Sequence, residues 1–325
     1  MTVAVTGGSG VVGQALVRHL VADGHEVRML SRSHESAMLA DALGARAVPG
    51  DVLEPGSLRP LVADCEFVFH VAGVNELCVR DSSLMEKVNV AGVRNVVAAS
   101  RAAGVGRLVH TSSAVTIGER RGEAASEETT HRGYFLSEYE RTKFLGEREL
   151  YESAGDLDFV VVNPSSVQGP GRATGTGRIV LNVVNGGLPV LIDSTISIVD
   201  IDDCARGHIL AATAGARGER YILNGSTLTV REAVLLAGEA AGRPVEPRFV
   251  PSGLVAGLVA VAEPIGRLFG KELPFCREMI RVMRFGHHYD GSRATRELGL
   301  SYRSIEDTLS RLMAWFESEG LLESL

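Results

Sequence analysis

The chain has 325 residues, 45% hydrophobic and 22% charged, with a formal net charge of −7, the make-up of a soluble globular protein able to bury one large α/β core or two lobes. The acidic balance, the lack of any basic cluster and an aromatic content of only 5% leave no electrostatic footprint for nucleic acid. The most apolar tract, residues 253–262, is too short to span a bilayer, so no membrane partner is expected.

The first predicted element is an alternating apolar strand through Val3, Ala4 and Val5. It begins by residue 2, so no cleavable leader is expected. It runs into a turn with glycines at 7, 8, 10 and 13, and a helical pattern continues through Ala15, Leu16, Leu20 and Val21. A strand that turns this tightly into a helix presents free N–H groups and the positive end of the helix dipole, a site for a pyrophosphate. Gly7, Ser9, Gly10, Val11, Val12 and Gly13 are therefore candidate cofactor contacts. The spacing is Gly-x-x-Gly-x-x-Gly behind Thr6, not the plain Gly-x-Gly-x-x-Gly of a dinucleotide fingerprint.

Residues 26–30 read as the second strand, and its carboxyl end bears on the cofactor. A strand end that binds unmodified adenosine ribose usually carries Asp or Glu; here it reads Ser31–Arg32–Ser33, with the first acid at Glu35. A guanidinium can fork onto a 2′-phosphate and stack on adenine, which favours NADP(H). If Arg32 only stacks, NAD(H) is served as well. A short third strand over 47–52 brings up Asp51 and Val52, where a carboxylate could accept from the adenine amino group or cap the helix near 55–61. The fourth strand, 67–73, is continuously apolar, as in a strand covered on both faces. Its end, Val71–Ala72–Gly73, is small enough for backbone to lie against a cofactor, and His70 reads as a core histidine. The next helix, about 84–103, carries Asn89, which is placed to prop a strand end.

The fifth strand delivers Thr111–Ser112–Ser113–Ala114 to the carboxyl edge of the sheet, where open α/β folds bind ligands. Further on, Tyr139 and Lys143 stand at i and i+4 on one helical face, and none of the other five tyrosines has Lys four residues on. A free phenol with a pKa near ~10 is a poor acid at neutral pH. An ammonium about 4 Å away at an effective dielectric of ~20 favours the phenolate by ~4 kcal/mol, enough to bring it to roughly pH 7. The pair thus suffices for acid–base work at a carbonyl without a metal, and Cys65, Cys78, Cys204 and Cys276 show neither CxxC spacing nor clustered histidines. These four read as free thiols of a reducing cytoplasm, not bridges or metal ligands.

With the glycine turn, Ser113, Tyr139 and Lys143 in this order, the chain resembles the extended short-chain dehydrogenase/reductases of the NAD-dependent epimerase/dehydratase superfamily. Residues 163–170, the Val199–Asp200–Ile201–Asp202–Asp203 run and 221–225 extend the likeness over nearly the whole chain, with Asp200 where that family usually has His. Within it, the chain is most similar to dihydroflavonol reductases, 3β-hydroxysteroid dehydrogenases and hopanoid-associated sugar epimerase-like members. The resemblance implies an α/β Rossmann fold, a doubly wound parallel sheet with a smaller, interleaved C-terminal substrate-binding lobe. Residues 1–165 would bind the dinucleotide, with the sheet completed at about 190–225, and 166–189 and 226–325 would mainly form the lobe. Ser113 would hold the substrate oxygen, Tyr139 would pass the proton, and Lys143 would hold the nicotinamide ribose. Thr111, Pro164, Ser165, Ser166 and Val167 would join the cofactor contacts.

The same likeness implies a cytoplasmic enzyme, with a possible homodimer. Sugar-nucleotide members usually carry an arginine five residues before the Val-Asp-Asp; here Ile196 stands there, and the neighbouring residues offer no cation. Arg178 and Arg206 are expected to pair on the surface. Val74, Leu77, Val115, Ile117, Tyr134, Phe135 and Val167 are the expected lining near the nicotinamide, with Val74, Ser113, Val115, Tyr134, Phe135 and Ser165 the substrate contacts. The apolar stripe through Leu254, Val255, Leu258, Val259, Ile265, Leu268 and Phe269 reads as core, and His287–His288–Tyr289 as a loop that could reach the pocket mouth. The small-molecule substrate is then a bulky, mostly apolar ketone or secondary alcohol. An NAD-dependent sugar epimerase or dehydratase is the alternative, and a dinucleotide-sensing protein on the same fold a second.

Overall fold

A computed structural model of the chain describes residues 1–187, 190–268 and 276–323, with the side chains of 264–268 left aside. Its first half alternates strand and helix: β1 (Thr2–Thr6), α1 (Val11–Ala22), β2 (Glu26–Ser31), α2 (His34–Ala42), β3 (Arg46–Pro49), α3 (Pro55–Val62) and β4 (Phe67–His70). After them come α4 (Ser83–Glu86), α5 (Gly92–Ala103), β5 (Arg107–Thr111), α6 (Glu138–Ser153) and β6 (Phe159–Pro164). The second half is less regular: β7 (Ser166–Gln168), α7 (Thr176–Val184), β8 (Val190–Ile192), β9 (Thr195–Asp200), α8 (Ile201–Ala214), β10 (Arg220–Leu223) and β11 (Ser226–Thr229). It closes with α9 (Val230–Ala240), β12 (Arg248–Val250), α10 (Ser252–Leu268), α11 (Arg277–Phe285), α12 (Ser292–Leu298) and α13 (Ile305–Ser318).

Seven strands form one parallel sheet in the order β10-β6-β5-β4-β1-β2-β3. This is a Rossmann-like α/β fold. The central strands are buried on both faces and correspondingly rich in Val, which fits a sheet sandwiched by helices. One apolar core gathers Leu16 and Leu20 of α1 with Ile201 and Ala205 of α8. The other joins Leu58 and Leu61 of α3 with Val93 and Val97 of α5. Strand order reverses between β1 and β4, and such a switch point opens a crevice at the strands' carboxyl ends.

Of residues 190–225, only β10 enters the large sheet. β9 pairs with β7 and β11 in a three-stranded sheet, and β8 pairs with β12. The chain end also returns to the main core: Ala294 and Leu298 of α12 pack with α8 residues. No helix among the described residues is long and apolar enough to cross a membrane.

Two expectations fail at the level of packing. Leu254 and Leu258 on α10 are exposed rather than core, while the side chains of Ile265, Leu268 and Phe269 lie outside the described residues. Cys78 and Cys276 are not free thiols: they form a disulfide across 198 residues of sequence, whereas Cys65 and Cys204 stay reduced. Spacing could not reveal this bridge, because it joins the loop after β4 to the start of α11, two segments brought together only by the tertiary fold.

Candidate active site

A cleft of about 1150 Å³ runs along the carboxyl edge of the large sheet, from the β1–α1 turn to α11. The turn is built for close approach. Gly7 has φ +72°, and a Cβ there would lie 2.4 Å from the Ala72 nitrogen; one on Gly13 would lie 2.1 Å from the Gly7 carbonyl. Gly10 caps α1 with no side chain bonded to its free N–H groups, and no acid stands in the first turn. Thr6 sets the turn against β4, its Oγ1 accepting from the Ala72 N–H at 3.3 Å and lying 2.7 Å from His70 Nδ1. Glycine here keeps open a cradle that any side chain would fill, and the cradle fits a dinucleotide diphosphate. Gly13→Ala should accordingly raise the dissociation constant for a dinucleotide by at least about tenfold in a fluorescence titration, by forcing the turn apart where a methyl meets backbone.

At the β2 end, the Arg32 side chain is 70% exposed and only loosely paired, 3.9 Å from Asp51. Asp51 does not cap α3: its Oδ1 accepts from the Leu53 N–H at 2.9 Å, which turns the chain behind β3. Ser31 lies beneath the cleft rather than in it, buried with its hydroxyl donating to the Met29 carbonyl. Ser9, Val11, Val12, Val52, Val71 and Gly73 all line the cleft, as do Thr111 and residues 164–167.

Ser113, Tyr139 and Lys143 meet at the cleft's centre. Ser113 stands in extended backbone just beyond β5, before a 3₁₀ turn over Ala114–Ile117. Ser137 caps α6 through the Glu140 N–H, which starts the helix so that Tyr139 and Lys143 share the face toward the sheet. The phenol of Tyr139 and the side chain of Ser113 line the cleft together, near enough for Ser113 to act on the phenol's pKa. Lys143 is buried, and its Nζ donates to the Thr111 carbonyl at 2.7 Å. Burial pulls this ammonium down to about 8 against the opposing charge of Glu147. A Cβ on Gly73 would stand 3.6 Å from Lys143 Nζ, so glycine keeps the space before the ammonium clear.

The electrostatics correct one expectation. Burial raises the Tyr139 phenol above its ordinary value, and the neighbouring Ser113 hydroxyl and then the charge of Arg172 oppose that rise in part. Lys143, turned to the Thr111 carbonyl, is not the cation that acidifies it in the chain alone. Arg172 was invisible to sequence reasoning because it lies in an aperiodic glycine-rich loop.

Of the other supports around the pair, only Asn89 is expected from the sequence. Glu147, one turn beyond Lys143, is buried, and its Oε2 accepts from the hydroxyls of Ser112 at 2.6 Å and Thr116 at 2.8 Å and from Asn163 Nδ2 at 3.0 Å. It pins α6 to the ends of β5 and β6. On the other side, α6 presses against a π turn over Lys87–Ala91, with Gly146 so close that a Cβ would meet the Asn89 carbonyl at 2.0 Å. Asn89 then clasps the β4 exit loop through both Val74 backbone groups, and its Nδ2 also donates to the Thr142 hydroxyl. An i→i+5 turn at such a place is a recurrent feature of functional sites.

The substrate end is closed by α11. Glu278 accepts the Cys78 N–H and the Glu138 N–H, both at 2.7 Å, so it ties α11 to the β4 loop and to the start of α6. Val74, Leu77, Val115, Ile196, Val282 and Met283 give this end an apolar lining. Ile117 is core, packed with Ala114 and Ile222. Tyr134 and Phe135 also stand outside the cleft. Tyr134 is 55% exposed on a separate cavity, and Phe135 packs at a tilt against the rings of His131 and Phe144. Leu136, between them and Ser137, is buried and borders the same separate cavity as Tyr134, whereas Ser137 lines the cleft. His287 and Tyr289, in the stretch expected as a loop that could reach the pocket mouth, face the cleft. Arg206 pairs with Asp23 at 2.9 Å, whereas Arg178 is simply exposed.

The sequence profile of the NAD dependent epimerase/dehydratase family matches residues 3–224. The chain is 31% identical to sterol demethylase protein B of Methylococcus capsulatus, over 99% of this chain and 100% of that one. It is also 31% identical to a 2-alkyl-3-oxoalkanoate reductase of Stenotrophomonas maltophilia, over 97% and 99%. Among solved structures, the crystal structure of gox2253 superposes with a TM-score of 0.87 at 31% identity, covering 99% of both chains.

Proposed function

The chain belongs to the NAD dependent epimerase/dehydratase family and is an oxidoreductase; from that premise we propose that it is an NADP(H)-dependent reductase interconverting a ketone and a secondary alcohol on a bulky, mostly apolar small molecule. The observation that carries this reading is that Ser113, Tyr139 and Lys143 line the same cleft as the glycine turn. A bound nicotinamide would supply the hydride chemistry at the carbonyl carbon. In reduction, the Tyr139 hydroxyl delivers its proton to the carbonyl oxygen while the Ser113 hydroxyl donates a hydrogen bond to that oxygen. Lys143, anchored to the Thr111 carbonyl, keeps two N–H donors for the nicotinamide ribose in the space Gly73 leaves clear. Residues 1–165 form the dinucleotide part in this reading, and the small sheets with α7, α9, α10 and α11 the substrate part.

The apolar lining favours a reductase of apolar ketones over a sugar-nucleotide enzyme. The name of the Stenotrophomonas relative, an oxoalkanoate reductase, points the same way. The reading is tested with a panel of ketones and secondary alcohols, NADPH or NADP⁺ against NADH or NAD⁺, monitored at the nicotinamide absorbance. NADPH consumption with an apolar ketone is expected. Protein that purifies fully loaded with NAD and shows no turnover with free NADPH would favour an epimerase or dehydratase. Arg32→Ala should weaken NADPH by about ten- to a hundredfold, the size of a lost charge-assisted contact, and move NADH by no more than about twofold. Equal effects on both would remove the assignment to NADP(H).

A further inference from the structure

Arg172 comes directly after the Gly169–Pro170–Gly171 turn that leads from β7 toward α7, and its side chain lines the cleft together with Ser113 and Tyr139. The turn holds its backbone in place. The Arg172 N–H donates to the Gly169 carbonyl at 3.2 Å, and a Cβ on Gly177 would meet the Arg172 carbonyl at 2.2 Å. The side chain is half-buried, yet no carboxylate pairs with it among the described residues, and its Nε is buried without any hydrogen-bond partner.

That isolation is unusual in a chain of net charge −7. The other two cations of the cleft are accounted for: Arg32 stands beside Asp51 at the far end, and Lys143 is bonded to Thr111. A half-buried guanidinium without a counter-charge carries a desolvation cost that a bound anion would offset. Its planar fork matches two oxygens of a carboxylate or phosphate. Burial lowers the pKa of this guanidinium, and its charge reaches the Tyr139 phenol, which places it at the reacting end of the cleft. On its other side, the turn borders the start of α1: a Cβ on Gly171 would lie 3.8 Å from Val11 Cγ1.

We propose that Arg172 is an oxyanion-binding residue of this cleft, forking onto a carboxylate carried by the substrate or onto the diphosphate of the dinucleotide. The proposal rests on the reductase reading for its substrate source and on the glycine cradle for its cofactor source. In either case the site is not the cation-free apolar pocket that residues around Ile196 suggest.

The experiment uses the full chain and two variants, Arg172→Gln and Arg172→Lys, each checked for folding by thermal melting. One arm titrates NADPH and NADH by fluorescence, independently of turnover. The other compares kcat/KM for a 3-oxo acid and for its methyl ester. A substrate carboxylate on Arg172 predicts that Arg172→Gln lowers the acid-to-ester ratio by about ten- to a hundredfold, with dinucleotide affinity within about twofold of the parent. A diphosphate on Arg172 predicts weaker binding of both dinucleotides by about tenfold or more, with the ratio unchanged. Arg172→Lys, which keeps the charge and loses the fork, should fall between parent and Arg172→Gln in whichever arm responds. The proposal is overturned if neither the ratio nor either affinity moves by more than about twofold. If the parent reduces neither ketone, the reductase reading fails, and the binding arm alone then decides the matter for Arg172.

Discussion

Tyr139→Phe is expected to lower turnover by about 10²- to 10⁴-fold, the range for loss of a positioned proton donor, while leaving the fold and dinucleotide affinity intact. The reasoning starts from position. Ser137 caps α6, the helix opens with Glu138, and the phenol is carried into the cleft that Ser113 lines at the carboxyl end of β5. Phenylalanine keeps the ring and its packing but removes the hydroxyl, the group placed to give a proton to the carbonyl oxygen. Ser113→Ala should lose less, because the phenol remains and only one donor to that oxygen disappears. The charge state sharpens the expectation. In the chain alone, burial holds the phenol above its ordinary pKa, which keeps its proton on at neutral pH while making it a weaker acid than a free phenol. In the reverse direction the phenolate must form, and the positive charge of the oxidised nicotinamide favours it there. The measurement is kcat under saturating ketone and NADPH, with thermal melting and a dinucleotide titration as controls. Retention of more than about a tenth of parental turnover would show that the proton comes from elsewhere.

Before any fold is known, the chain reveals chiefly what neighbours in sequence determine. The glycine turn is a strand-to-helix junction written in consecutive residues. Tyr139 and Lys143 share a helical face because of their spacing alone, and the Thr111–Ser113 run ends a strand whose pattern is plain. Arg32 stands out because no acid occupies the end of β2. The parallel sheet is implied by the alternation of apolar strands with amphipathic helices in the first half. The misses all depend on distant residues. Cys78 meets Cys276 through the packing of α11 on the β4 loop. Arg172 becomes a cleft residue only because a glycine-rich turn brings it over the sheet edge. Tyr134 and Phe135 look like cleft residues beside Ser137, yet Tyr134 borders a separate cavity with α10 and α11, and Phe135 packs with Phe144. The α10 stripe has the periodicity of a core helix, but periodicity says which residues share a face, not what covers that face.

The same limit hides the strongest buried charge cluster, and Arg132 is where its removal should cost most. The Arg132 side chain is 2% exposed and bonds the Glu140 carboxylate, with Glu119 Oε2 at 3.9 Å. Those carboxylates are themselves 3% and 1% exposed. His287 Nδ1 lies 2.6 Å from Glu119, and the Tyr289 hydroxyl lies 2.9 Å from the same nitrogen. Glu140 also accepts the Leu136 N–H at 2.8 Å, so the cluster fixes the segment that enters α6 immediately before the reacting phenol. Arg132→Met preserves much of the side-chain volume and leaves two buried carboxylates without their cation, which is expected to destabilise the fold by about 3–5 kcal/mol. The pH dependence gives this loss a signature. Burial holds the Glu140 carboxyl at about 7, above its ordinary 4.5, against the pull of the Leu136 N–H and of Arg132. A group whose folded pKa is raised binds its proton more tightly in the native state, so its contribution to stability is full at acid pH and is lost as pH rises through the folded value. Without Arg132 that pKa rises further, and the variant's deficit should be smaller near pH 5 than near pH 8. Urea denaturation of parent and variant at both pH values measures it. A deficit under about 1 kcal/mol, or one that does not grow with pH, would mean that Arg132 is not what holds the two acids in place.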